Sequence, residues 1–332
     1  MQKGTLSSRS SDNLPRVSCI IPALNECANL KVILPALEAI LDSNSSEWEV
    51  IVIDDGSTDG TPDFMDERST CPGFRYLQLS RNFGKEAALS AGLEAATGDV
   101  VICLDADLQH PPALIPQMLD KWKAGADAVY AVRANRDDES RTKRLGSSLL
   151  YFILGRGNKV KIPADAGDFR LMDRKVINAL TQLPERTRFM KGLYAWVGFK
   201  TESIEYLPPE RLHGETNFSF LRLVRFALDG ITAFSTWPLQ VLSLLGGAIA
   251  FLSFTYGTYL ILEYMLVGNG VSGWTTIVTA MLFFSGINLL GLGVIGAYIG
   301  RIFDEVKQRP LYLVRKNTGI GMNKVSSGSD TQ

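Results

Sequence analysis

The chain has 332 residues, 46% hydrophobic and 21% charged, with 34 Lys+Arg against 35 Asp+Glu and a formal net charge of −1. That balance excludes a global basic footprint for nucleic acid, and 30 Gly with 14 Pro excludes collagen-like and low-complexity classes. Cys19, Cys27, Cys71 and Cys103 have no CxxC or zinc spacing and only His110 and His213 occur, so no Cys/His metal site is expected and the thiols read as reduced core residues.

Residues 1–16 are polar and Ser-rich, lack the apolar run of a secretory signal, and read as a disordered tail. Residues 17–21 and 49–53 are β-branched runs that end in polar turns. Between them Leu30, Ile33, Leu34, Leu37, Ile40 and Leu41 recur at helical spacing. The rhythm continues with a strand over 75–79, a helix over 85–96 that stops near Gly98, and strands over 99–104 and 128–132. Such alternation predicts an α/β domain of the doubly wound type with a mostly parallel sheet.

Ligands of these sheets bind beyond the carboxyl ends of the strands. Three polar clusters fall there: Pro22-Ala-Leu-Asn-Glu26, Asp54-Asp-Gly-Ser-Thr-Asp-Gly60 and Asp105-Ala-Asp-Leu-Gln-His-Pro-Pro112. Each alone is ordinary turn chemistry; three at equivalent strand ends point to one site. Asp55, Ser57, Asp59, Gly60 and Asp66 loosely match an EF-hand loop. A strand precedes them, Pro62 interrupts them and the last acid is not Glu, so calcium is set aside. No GxGxxG or GxxxxGK[ST] follows any of these strands, which excludes a dinucleotide fingerprint and a P-loop. Asp105 and Asp107 bring two carboxylates near one small volume, which is costly unless a cation sits between them. With Gln109 they offer hard oxygen ligands suited to Mg²⁺ or Mn²⁺, ions that also take diphosphate oxygens.

Further along, Phe218, Leu221, Val224 and Leu228 recur at helical spacing beside Arg222 and Arg225, which predicts an interfacial helix over 217–236 lying on anionic headgroups. Residues 238–262 and 275–300 carry no charged side chain. At about 1.5 Å per residue the first would run roughly 37 Å, enough for a hydrocarbon core of about 30 Å, so 237–301 is expected to hold two transmembrane helices. The connection around 267–273 lacks Lys and Arg, whereas Arg222 and Arg225 precede the pair and Arg301, Lys307, Arg309, Arg315 and Lys316 follow it. Both termini, including a tail over 302–332, are therefore expected on the cytoplasmic side of a multi-pass inner-membrane protein. Gly286, Gly291, Gly293, Gly296 and Gly300 permit close helix contact, within one chain or in a homo-oligomer.

Taken in order, Ile21-Pro-Ala-Leu-Asn-Glu26, Asp54-Asp-Gly-Ser-Thr-Asp59, Arg81-Asn-Phe-Gly-Lys85, Asp105-Ala-Asp-Leu-Gln109 and Asp168-Phe-Arg-Leu171 resemble a family 2 glycosyltransferase of GT-A fold over residues 17–216. With the apolar pair behind it, the chain is similar to polyprenyl-phosphate glycosyltransferases. The resemblance implies an inverting, metal-dependent transfer of a sugar, from UDP-glucose or alternatively GDP-mannose, to undecaprenyl phosphate. It implies Pro22, Glu26 and Asp55 at the base and ribose, and Lys85 and Arg133 near the nucleotide or its phosphates. Asp105, Asp107 and Gln109 fall at the metal and diphosphate, and Asp168 at the acceptor as a base or as an orienter of Arg170, which would hold a phosphate. Arg211-Leu-His-Gly-Glu-Thr216 matches a loop that closes over the donor; the family often places Lys where this chain has Asn217, which shifts weight onto Arg211. A processive polysaccharide synthase is disfavoured because no Arg-Trp pair occurs, and a non-catalytic nucleotide-sugar sensor because all three acidic clusters are intact.

Overall fold

Strands that bury both faces need helices on both sides. In a computed structural model describing residues 14–133, 167–186, 188–206, 237–267 and 273–324, β1 (Arg16–Ala23) and β2 (Glu47–Asp54) bury nearly every side chain. Helix α1 (Cys27–Asn44) buries Leu30, Ile33, Leu34, Leu37 and Leu41 in a core shared with Cys19, Ile21, Val50 and Val52. The alternate strand residues Ile20 and Ile53 meet α3 (Lys85–Ala95), so closely that a Cβ on Gly92 would stand 2.8 Å from the Ile53 Cδ1. Between these lie α2 (Thr61–Arg68) and β3 (Phe74–Leu79), followed by β4 (Val100–Cys103), α4 (Ile115–Lys123) and β5 (Ala128–Arg133).

The strand order is β7-β5-β6-β4-β1-β2-β3-β8, where β6 is Arg170–Asp173, β7 is Thr201–Tyr206 and β8 is Val314–Gly319; a short β9 (Asn323–Lys324) pairs with β2. β1 runs parallel to β2 and β4, as does β2 to β3 and β5 to β7. β6 is antiparallel to β4 and β5, β8 to β3, and β9 to β2. The expected doubly wound α/β domain is present, and its GT-A-like sheet is mixed. Because the chain winds outward from β1 to β3 and then restarts at β4 on the other side of β1, a switch point lies between β1 and β4. Helices α5 (Arg174–Thr181) and α6 (Met190–Trp196) follow β6.

Residues 314–319, expected in a tail, are instead an edge strand of this sheet. Leu313 O accepts from Ser80 N at 2.8 Å, and Lys316 Nζ lies 2.7 Å from Asp66. The helix expected over 85–96 and the strands over 75–79 and 128–132 sit where the periodicity placed them, within a residue or two.

A second compact unit holds α7 (Trp237–Val267) and α8 (Trp274–Lys307), which meet where Gly291 leaves space beside Leu242. Both display large apolar side chains to the outside, among them Phe254 and Leu266 on α7 and Leu289 and Val306 on α8. Among the described residues one stretch, Phe283–Lys307, is long and apolar enough to cross a bilayer, with mean hydropathy 1.6. The interfacial helix expected over 217–236 and residues 1–13 lie outside the described residues, and the tail expected over 1–16 is shorter than that, because Arg16 opens β1 and pairs with Glu47.

Candidate active site

The carboxyl ends of β4, β1 and β2 lie side by side, with Cys103 level with Ile20 and Asp54 level with Ala23. Their loops enclose a cleft of about 310 Å³ whose wall includes Pro22, Glu26, Asp55, Lys85, Asp105 and Asp107. Six of the residues singled out from the sequence therefore share one cavity.

Local chemistry explains how the loops hold. Asn25, in the left-handed region at φ 59°, donates its backbone N–H to the Ser57 hydroxyl and accepts from Thr58 N, both at 2.8 Å. Asp54, fully buried, accepts from Tyr76 Oη at 2.6 Å and from Ser57 N at 2.7 Å, so it builds the turn and leaves the cleft to Asp55. Asp55 accepts from the backbone N–H groups of Phe83 and Gly84 at 2.7 and 2.8 Å. This grip needs a close approach of two loops at Gly56, whose φ is +83° and where a Cβ would stand 2.8 Å from Asn82 N. A carboxylate has about four lone-pair sites, so Asp55 keeps acceptor capacity for a ligand.

The wall is electrostatically strained. Burial pushes the Glu26 carboxyl up, and neighbouring Asp107, Asp59 and Asp105 push it further, although Asn29 Nδ2 donates to it at 2.6 Å. Burial likewise raises Asp55, with Asp54 adding to it against the two N–H donors. Lys85 places its ammonium 2.7 Å from both Asp105 Oδ1 and Asp168 Oδ2. Burial opposes its charge, but those two carboxylates hold it protonated well above the ordinary lysine range. Burial also raises Asp168, yet Lys85, Lys191 and Arg170 outweigh it and keep this carboxyl below its usual range.

Asp107 Oδ1 accepts from Gln109 N at 3.1 Å, and Leu108, at φ 60°, turns the chain sharply behind it. The turn brings His110 to the acids: Asp105, Asp107 and His110 each present a ligand atom within 4.8 Å of the others. The predicted ligand set named Gln109 as the third member; Gln109 is buried beside this turn. Arg170, predicted to hold a phosphate, is not on the cleft wall. It is 4% exposed, its guanidinium stacks 3.6 Å from the Tyr194 ring, and Nη2 donates to Gly167 O at 3.0 Å, which braces the turn that carries Asp168. Arg133 ends β5 opposite Tyr206, and Arg211 lies outside the described residues.

Besides His110, two residues were missed by the sequence reading. Tyr194 supports Arg170. Glu86 follows Lys85 on α3, accepts from Met190 N at 3.3 Å, and is pushed up to about 7 by burial and by Asp168. Tyr194 has no neighbour in the sequence that would mark it, and Glu86, though directly after Lys85, shows its burial only in the fold.

Residues 18–181 match the family described as Glycosyl transferase family 2. An uncharacterized glycosyltransferase of Synechocystis sp. is 46% identical over 305 residues, covering 92% of this chain and 96% of the relative. A prophage bactoprenol glucosyl transferase homolog of Escherichia coli is 40% identical over 302 residues, 91% of this chain and 99% of the relative. The SfII prophage-derived bactoprenol glucosyl transferase of Shigella flexneri is 41% identical over 303 residues, 91% and 98% of the two chains. Identity of this degree over more than nine-tenths of the chain means that the protein belongs to glycosyl transferase family 2 and is a glycosyltransferase.

Proposed function

We propose that the chain is an inverting, metal-dependent hexosyltransferase that moves glucose from UDP-glucose to a polyprenyl phosphate at the cytoplasmic membrane face, with GDP-mannose as the alternative donor. The observation that carries this reading is the charge of the cleft: among the described residues of its wall, Glu26, Asp55, Asp105 and Asp107 face Lys85 alone. A diphosphate would be repelled from four carboxylates unless a divalent ion stood between them. The acceptor and the sugar follow those of the bactoprenol glucosyl transferases, which match over 91% of this chain.

In this reading Pro22, Glu26 and Asp55 hold the base and ribose, and Arg133 and Arg211 the nucleotide phosphates. Asp105 and Asp107, with Gln109 beside them, hold Mg²⁺ or Mn²⁺, which supplies Lewis acidity to the departing diphosphate. Lys85 adds positive charge where negative charge builds up. The acceptor phosphate is already largely ionised near neutral pH, its second pKa being about 6. Its oxygen attacks the sugar C1 opposite the diphosphate; the new C1–O bond forms as the old one breaks, the nucleoside diphosphate keeps the electron pair, and the configuration inverts. No proton has to leave the nucleophile. Asp168, held anionic, orients Lys85 instead of acting as a base.

Chain connectivity supports a membrane hairpin with both termini on one side. Strands β1 to β7 precede α7, and β8, after α8, joins the same sheet. A sheet cannot bridge a bilayer, so the chain between must cross an even number of times. Helices of 31 and 34 residues run about 46 and 51 Å, each long enough for one crossing.

The test is label transfer by the full chain in detergent with Mn²⁺ or Mg²⁺, undecaprenyl phosphate and labelled UDP-glucose or GDP-mannose. Label should enter the organic phase, and Asp107→Ala should lower the rate at least a hundredfold. Tight donor binding with no transfer from either donor would overturn the enzyme reading in favour of a sensor.

A further inference from the structure

We propose that His110 is itself a ligand of the divalent ion, so that the site binds through mixed oxygen and nitrogen donors and selects Mn²⁺ over Mg²⁺. This rests on the reading above that the cleft holds a metal. The geometry points to the imidazole rather than to the acids alone. His110 Nδ1 stands 3.9 Å from Asp105 Oδ2, too far for a hydrogen bond. Two donors bound at about 2.1 Å to one ion are roughly 3.0 Å apart when adjacent and about 4.2 Å apart when opposite; the gap falls between these limits, a span that one cation can bridge.

The ring is fixed before any ion arrives. It is 7% exposed and lies between Phe169 and Tyr206, with centroids 5.4 and 5.8 Å away. Its other nitrogen faces Gly167, where a Cβ would come within 3.7 Å of Nε2, so the imidazole fills the space between the metal acids and the turn that carries Asp168. A ring clamped at the ligand distance loses little freedom on binding. Imidazole binds the later transition ions best and Mn²⁺ least among them, but Mn²⁺ is still a transition ion that takes nitrogen more readily than Mg²⁺, which keeps to oxygen. His110 therefore biases the choice of metal, a property that Asp105 and Asp107 alone would not confer.

Pulsed EPR of the full chain in detergent, loaded with Mn²⁺ and no nucleotide, decides the matter. The expected spectrum carries the nitrogen modulation of a directly bound imidazole, converted to the ¹⁵N pattern when histidine is ¹⁵N-labelled. The chain has two histidines, so assignment is short: the signal should survive His213→Gln and vanish in His110→Gln. The same His110→Gln protein should bind Mn²⁺ on the order of 10- to 100-fold more weakly while its Mg²⁺ affinity moves less than about threefold. Should that variant fail to fold, the labelled His213→Gln protein settles the assignment alone. Mn²⁺ that is bound, and released by Asp107→Asn, yet shows no nitrogen coupling would overturn the assignment and leave the metal site standing. Absence of any bound Mn²⁺ would overturn both.

Discussion

Changing Asp168 to Asn preserves the shape of the side chain and removes its charge, and so separates the base that the family resemblance allows from the orienting of Lys85 that the geometry supports. A general base contributes about 10²- to 10⁴-fold to a rate. An orienter of Lys85 contributes one ion pair, and here the Lys85 and Asp168 side chains are 44% and 21% exposed. Solvent screening at that exposure leaves roughly 0.2–1 kcal/mol, a factor of up to about five in rate. Lys85 also keeps its contact to Asp105 in the variant. Initial rates of sugar transfer, with kcat and KM for donor and lipid between pH 6 and 9, make the comparison. The expected kcat of Asp168→Asn lies within about fivefold of the parent, and both proteins lose rate together as the acceptor phosphate gains its proton near pH 6. A loss of a hundredfold or more across this range would refute the direct attack by an ionised phosphate and restore Asp168 as a base.

Arg75→Met should be strongly destabilising, because Glu49 is 1% exposed and Arg75 Nη1 lies 2.9 Å from its Oε2; leaving that carboxylate unpaired costs about 3–5 kcal/mol, a fall in Tm on the order of 10 °C, and an unchanged Tm by scanning fluorimetry would contradict it. Glu86 gives a pH-dependent test. Its folded carboxyl titrates at about 7 through burial and Asp168, above its ordinary value, so the folded state keeps a proton that the unfolded state gives up; stability from this group is full at low pH and is lost as pH rises to about 7. Glu86→Gln should therefore raise Tm relative to the parent at pH 8 and not at pH 4.5; an equal shift at both values would show that burial of this carboxyl is not the cause.

The frame of the site was legible because it depends on local rules. Residues 50–53 are apolar throughout and 30–41 are periodic, so helix and strand declared themselves, and polar residues at three strand exits marked one cleft. What escaped depends on partners distant in sequence. β6 has four residues with Arg170 and Asp173 at its ends, and β8 reads Val-Arg-Lys-Asn-Thr-Gly; neither has an apolar run, because pairing with β4 and β3 supplies what composition does not. β7 did carry a faint signal, with Ile204 and Tyr206 alternating inward on an edge strand. His110 was passed over because a chain with two histidines did not suggest a Cys/His metal site, and Arg170 was given a phosphate because nothing in the sequence places Tyr194 beneath it.

The same sheet carries acids at both ends, and their surroundings tell them apart. Near the amino ends of β1 and β2, Glu49 is buried but accepts from the Ser18 hydroxyl, Arg75 and both Thr97 donors, and these outweigh burial and hold it below its ordinary range. Asp99 is lowered by hydrogen bonds from Arg16. Those carboxylates are satisfied by their own chain and have little to gain from a ligand. At the carboxyl ends Glu26 and Asp55 are raised instead, first by burial and then by other acids. The loops there use non-glycine residues in the left-handed region, Asn25 and Leu108, a conformation that folding tolerates where function requires it. A bound cation would relieve the repulsion at that end and do nothing at the other, so the strain is concentrated where the proposed chemistry requires a positive charge.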